Sequence, residues 1–418
     1  MFTLLFVFML LAGVAIRLWL ATRQTRHVAR HRDRVPAEFA DRIGEASHRR
    51  AADYTLARIR FDAVALVFDT AVLVGLTLLG GLQALNELAA ALASSDFVRQ
   101  LLLVGMVAAL LAVLDLPFTL WRQFVLEARF GFNRMTFRLF AADTVKGVAL
   151  ALLFGLPLLS ALLWLMAEAG RYWWLWGWGL WVVFNLFVML LFPTVIAPLF
   201  NKFTPLADQA LADRIQALAR RTGFALNGLF VMDGSKRSAH GNAYFTGLGK
   251  SKRIVFFDTL LARLAPEEIE AVLAHELGHF KHRHIAKRLT FGFGISLLFF
   301  ALLGWLSQQV WFYTGLGVLP LLDGRNDALA LILFFLVAPV FTFAFIPVAS
   351  WYSRKHEFEA DRYASEQTDP ANLVSALVKL YDDNAATLTP DPVHSAFYDS
   401  HPPASIRIGR LRPKPHAA

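Results

Sequence analysis

Long apolar runs alternate along this chain with shorter polar connections. Seven stretches, roughly 2–20, 62–85, 98–120, 145–167, 173–199, 286–312 and 328–350, are apolar for about twenty residues or more. An apolar helix of that length crosses a bilayer core of about 30 Å. The pattern therefore predicts a mainly α, polytopic membrane protein with about seven transmembrane helices. The opening "MFTLLF" has no basic leader, and no A-x-A-like cleavage site follows it, so the first span is expected to be retained.

Two stretches break the apolar pattern, 200–285 and 351–418. The first opens with an amphipathic helix, "LADQALADRIQALARRTGF". A strand is expected at 229–233 and another at 253–258, with a turn-rich piece between them. A long helix is expected from near Pro266, which suits a first helical position, with Glu267, Glu268 and Glu270 at its positive end. This divides the chain into a five-span region (1–199), a small polar domain with a short β-sheet (200–285), two further spans (286–350) and a polar C-terminal part (351–418).

Charge sets an orientation on these spans. The segment 21–61 carries ten Arg, and 121–144, 200–285 and the C-terminal tail are also basic. The connections 86–97, 168–172 and 313–327 are short and poor in Lys and Arg. Seven spans with the N-terminus outside put every basic segment on one side, which the positive-inside rule assigns to the cytoplasm. The run Tyr172, Trp173, Trp174, Trp176, Trp178 reads as an interfacial aromatic belt. Topology already accounts for the net charge of +9, so membrane lipid is an expected partner and nucleic acid is not. The chain has no Cys, which excludes disulfides and thiolate metal sites. Its Arg- and Ala-rich composition reads as bacterial, and that would put it in an inner membrane.

The candidate chemistry lies in "AVLAHELGHF", 271–280. His275 and His279 stand at i and i+4 on the expected helix, so both imidazoles leave one face. Glu276, about 100° round the helix from His275, reaches the outer sphere of a metal held between them. This is HExxH, two zinc ligands and a general base. A third ligand is needed. The metzincin position, 285, is Ile, and His282 and His284 are on the wrong turn. "RKHEFEADRYA", 354–364, offers carboxylates just after the last span. Glu357 and Asp361 share a helical face, and Glu359 is on another. One of the pair can bind zinc while the other orients a ligand imidazole. Two spans separate His279 from Glu357, which returns both to the same side. Asp323, in "LLDGRND", has the context of the third ligand of intramembrane site-2 proteases. One span separates it from HExxH, however, and that puts it across the membrane.

Four motifs, HELGHFKHRH, EFEAD, "SAHGNAYFTGLGKSKRIVFFDTLL" and "SHPPASIRIGRL", together resemble the type 1 CAAX prenyl proteases, integral-membrane zinc metalloproteases. The resemblance covers nearly the whole chain. It implies helices enclosing a chamber, with one zinc facing in from the cytoplasmic end. It also implies His275, His279 and Glu357 as ligands, Glu276 as catalytic base and Asp361 as the carboxylate behind a ligand. Asn242 matches a position beside the substrate backbone, and His401 one that stabilises the transition state. Arg407 is assigned to substrate binding, with bracing of the site or anchoring at the membrane surface as its alternatives. Asp69 and Asp115, costly against lipid, suit a wet chamber. The implied substrate is a prenylated CaaX peptide that loses its last three residues. The alternatives are a site-2-type or quality-control protease acting on membrane proteins, and a scaffold in which zinc is only structural.

Overall fold

Among the described residues six single helices are long and apolar enough to cross a membrane, and a bent pair brings the number to seven when it is counted as one span. The structure, a computed structural model, describes residues 1–246, 252–321 and 324–411. The crossings are α1 (Phe2–His31), the pair α2 (Glu45–Leu76) and α3 (Gly81–Leu92), α4 (Asp96–Arg129), α5 (Phe137–Glu168) and α6 (Gly170–Phe200). The polar domain then supplies β1 (Phe203–Pro205), α7 (Gln209–Arg221), β2 (Leu226–Met232), β3 (Ala243–Thr246), β4 (Lys252–Phe257) and α8 (Pro266–Lys281). Two more crossings follow, α9 (His284–Leu306) and the run Asp327–Gln367, which opens with α10 (Asp327–Thr342). One tight turn, Phe343–Phe345, joins α10 to α11 (Ile346–Gln367). The chain ends in α12 (Pro370–Asp383), α13 (Pro392–Tyr398) and α14 (Ala404–Leu411).

The second crossing departs from the straight span expected at 62–85. It bends by 53° between α2 and α3. Gly80 is left-handed, with φ of 80°, and a Cβ on Gly81 would lie 2.6 Å from the carbonyl oxygen of Gly75. Only glycine fits so close an approach of backbone to backbone.

The membrane helices share an apolar core toward one end. Their shared core includes Phe6 of α1, Leu82 of α3, Leu103 of α4, Leu163 of α5, Leu303 of α9 and Leu333 of α10. All of these lie toward the helix ends that the charge pattern assigns to the outside. Burial is low elsewhere, with only 6% of the apolar windows of α5 and of α6 buried, while α1, α2 and α4 also touch near the basic end through Arg32–Asp53 and Tyr54–Glu127. A cavity of about 1070 Å³ is lined by Arg17, Tyr54, Asp69 and Arg122 from the helices and by His394 and His401 from the C-terminal part. Asp69 thus faces the hollow, while Asp115 accepts a hydrogen bond from Thr119 at 2.8 Å.

The sheet has the order β1-β2-β4-β3, with β2 and β4 parallel and β3 antiparallel on β4. The two expected strands are β2 and β4. β1 and β3 are additional, three and four residues long. Such short strands show too little alternation to be read from sequence, and the neighbour they pair with defines them. α7 and α8 pack with the sheet around Leu218, Ile254, Phe256, Leu273 and Leu277.

Candidate metal centre

α8 starts where Pro266, with no N–H to lose, meets an acidic first turn. The buried Glu268 carboxylate accepts from the Ala265 N–H at 2.7 Å, the Ser375 hydroxyl at 2.7 Å and Lys379 Nζ at 2.8 Å. These bonds fix the start of the helix, and so its phase, against α12. α11 lies along α8 on a seam of small buried residues, Ala271, Ala274, Ala360 and Ala364. At its centre is Gly278, where a Cβ would come within 2.8 Å of Ala360 Cα. The glycine inside HELGH therefore sets how closely the two helices approach.

That approach brings three side chains to one point. His275 Nε2 lies 3.2 Å from His279 Nε2 and 3.4 Å from Glu357 Oε2. His279 Nε2 is 3.4 Å from Glu357 Oε1. His275 and Glu357 are buried, and His279 is partly so. Tetrahedral ligands about 2.05 Å from a zinc ion stand about 3.3 Å from one another, so the spacing fits a zinc set. The chemistry fits as well. His275 Nδ1 lies 2.8 Å from Asp361 Oδ1, and a carboxylate only accepts, so the ring proton sits on Nδ1 and the Nε2 lone pair points inward. Glu357 Oε2 is buried without a donor. A largely buried cluster of acceptors calls for a cation.

Burial works against a charged His275. The Asp361 and Glu357 carboxylates outweigh it and raise its pKa above the usual imidazole value. His275 Nε2 would have to give up its proton to hold a cation, so metal binding there would be coupled to proton release.

The other expected residues occupy distinct surroundings. Glu276 is half-buried on α8, beside His275. His401 Nε2 is 3.5 Å from Glu357 Oε1, and its side chain is 64% exposed toward the cavity it lines. Asn242 is exposed at the start of β3, where its Oδ1 accepts the Ala243 N–H at 2.8 Å. β3 pairs with β4 alone among the described residues and is an edge strand. Asp323 lies outside the described residues.

Arg407 differs from the substrate-binding position expected of it. It is 6% exposed, and its Nε and Nη2 donate to Asp361 Oδ2 and Oδ1 at 2.9 and 2.6 Å. Its fork is spent on Asp361 behind the cluster, which corresponds to the bracing alternative. The sequence offered no way to separate the two, because α14 reaches Asp361 only through the tertiary fold.

Comparison with known proteins gives this geometry a lineage. Residues 24–202 match the family described as CAAX prenyl protease N-terminal, five membrane helices, and residues 205–414 match peptidase family M48. The CAAX prenyl protease 1 homolog of Oryza sativa subsp. japonica is 35% identical over 90% of this chain and 90% of its own. CAAX prenyl protease 1 of Saccharomyces cerevisiae is 38% identical over 76% of this chain and 73% of its own. The crystal structure of S. mikatae Ste24p superposes with a TM-score of 0.92 at 31% identity and covers 99% of each chain. The chain belongs to peptidase family M48, among the type 1 CAAX prenyl proteases, and is an integral-membrane metalloendopeptidase.

Proposed function

We propose that His275, His279 and Glu357 hold one zinc ion and that the enzyme cuts peptides admitted to the cavity beside them. The observation that carries the reading is the inward-turned acceptor triangle, with Glu357 Oε2 buried and without a donor. Zinc bound there supplies an acidified water and a Lewis-acid contact for a carbonyl oxygen. Glu276 takes the proton of the attacking water and returns it to the leaving amine. His401, on the cavity wall, donates to the oxygen that gains charge. Asp361 keeps the proton on His275 Nδ1, and Arg407 holds Asp361. Asn242 and the edge of β3 receive the peptide as an added strand, which presents the scissile bond in extended form.

The substrate we propose is a prenylated C-terminal peptide that loses its last three residues. The similar proteins of rice and yeast are named CAAX prenyl proteases, and the four shared motifs support carrying that class over. The basic segments favour an orientation with the N-terminus outside and the catalytic part in the cytoplasm, and the composition favours a bacterial inner membrane. A bacterial setting would favour quality-control cleavage of membrane proteins, and one experiment separates the two readings. Farnesylated and unmodified CaaX peptides are given to detergent-purified wild type and Glu276→Gln, and the products are read by mass spectrometry. Loss of the terminal tripeptide from the farnesylated peptide, by wild type alone, is expected. Internal cuts indifferent to the lipid would favour quality control. No cutting by zinc-replete wild type would leave zinc a structural role.

A further inference from the structure

We infer that His284 and Glu359 are positioning residues for the ligand His279, forming a second arm behind the metal site that matches the Asp361–Arg407 arm behind His275. The inference rests on the zinc reading above. His279 Nδ1 lies 3.0 Å from His284 Nδ1, and His284 Nε2 lies 2.9 Å from Glu359 Oε2. The carboxylate can only accept, so His284 Nε2 carries a proton and donates it to Glu359. In the neutral ring His284 Nδ1 is then the acceptor, and His279 Nδ1–H donates to it. His279 is left with its lone pair on Nε2, the atom that faces His275 Nε2 and Glu357. Both ligand imidazoles thus have their tautomer set from behind, His275 by one carboxylate and His279 by a carboxylate acting through a histidine.

The backbone is bent to make this contact. A residue five places along a continuous helix is rotated about 140° away from the first and cannot reach back to it. Arg283 takes φ of 55°, left-handed for a residue with a Cβ, between the end of α8 and the start of α9. Such a conformation is strained, and here it turns His284 back onto His279. His284 is 2% exposed and stacks on the buried His356, with ring centres 3.9 Å apart and planes at 11°. The stack holds the ring in the plane that the two hydrogen bonds need.

His284, His356 and Glu359 also lie close enough together to suggest a second metal site. The near-parallel rings argue against one. An imidazole binds a metal in its own ring plane, and two stacked planes share no such point.

The test uses the full-length protein in detergent. Zinc affinity is measured by competition with a chromophoric chelator, zinc content by mass spectrometry, and unfolding of the zinc-stripped protein by heat. His284→Ala and Glu359→Ala should each weaken zinc binding about 10–100-fold. The double variant should be no weaker than His284→Ala, since both residues act through one hydrogen bond. Asp361→Asn, on the other arm, should add its own loss to either. Glu359→Gln keeps the shape of the side chain and should still weaken binding several-fold, which covers a failure of His284→Ala to fold. Three results would overturn the inference: unchanged affinity in Glu359→Gln and Glu359→Ala, losses that add in the double variant, or zinc-stripped variants that lose stability in step with affinity. Two zinc ions per chain, falling to one in His356→Ala, would also overturn it. Wild type that binds no zinc overturns the zinc reading as well, whereas wild type that binds zinc as tightly as the variants overturns only this arm.

Discussion

Three carboxylates within five residues of α11 find three different partners. Glu357 turns to the two Nε2 atoms, Glu359 to His284, and Asp361 to His275 and Arg407. The helical period separates Glu359 from the other two, and burial then fixes what each can do. The Asp361–Arg407 pair is buried, with its two side chains 6% and 7% exposed. Removing one partner of a buried pair leaves the other uncompensated, at a cost of about 3–5 kcal/mol. Arg407→Ala should therefore destabilise the zinc-stripped protein by that order in thermal unfolding, with KM little changed in whatever enzyme survives. A raised KM with intact stability would return Arg407 to substrate binding.

At the scale of elements, the site depends on how closely α8 and α11 approach. The two nearest atoms that a Cβ at position 278 would meet are backbone, Ala360 Cα at 2.8 Å and Ala360 O at 3.1 Å, with Tyr363 Cβ at 3.2 Å beyond them. Neither can rotate away. Gly278→Ala should overpack the seam by about 1–3 kcal/mol and draw Glu357 back from the histidines. Weakened zinc binding by chelator competition is the expected result. Ala360→Gly should not restore it, because the side chain of Ala360 is not what is met. Restoration would mean that the seam yields elsewhere and that Gly278 does not set the spacing.

Across the whole molecule, a polar cluster ties the membrane helices to the protease domain beside the cavity. Tyr54 of α2 donates to Glu127 of α4 at 2.6 Å, and Glu127 lies 3.7 Å from His240, just before β3. Asn384 faces the other ring nitrogen at 2.8 Å, and Phe132 stacks on the ring. The Glu127 carboxylate raises the His240 pKa above the usual imidazole value, against burial and the more distant Arg58. A raised folded-state pKa gives stability that is complete below about 6.5 and is lost as pH rises through the folded value. Thermal midpoints of wild type should thus fall toward those of His240→Gln as pH climbs from 6 to 8. A constant difference across that range would mean that the cluster holds by packing alone.

Hydropathy and charge alone determined the membrane class, the six to seven crossings, the two expected strands and the helix that carries HExxH. These follow from local periodicity and segment length, which a sequence displays directly. The candidate ligands were legible for the same reason: i, i+4 spacing puts His275 with His279, and Glu357 with Asp361, on single helical faces. Only the tertiary structure decided what lies behind them. Arg407 reaches Asp361 across 46 residues and Glu359 reaches His284 across 75. The Arg283 turn and the bend at Gly80–Gly81 depend on backbone conformation that no periodicity records. The cavity is likewise a property of the assembly, since its lining comes from segments as far apart as Arg17, Asp69, Arg122, His240 and His401. Local pattern fixes which side chains share a face; which faces meet depends on packing between segments far apart in the chain.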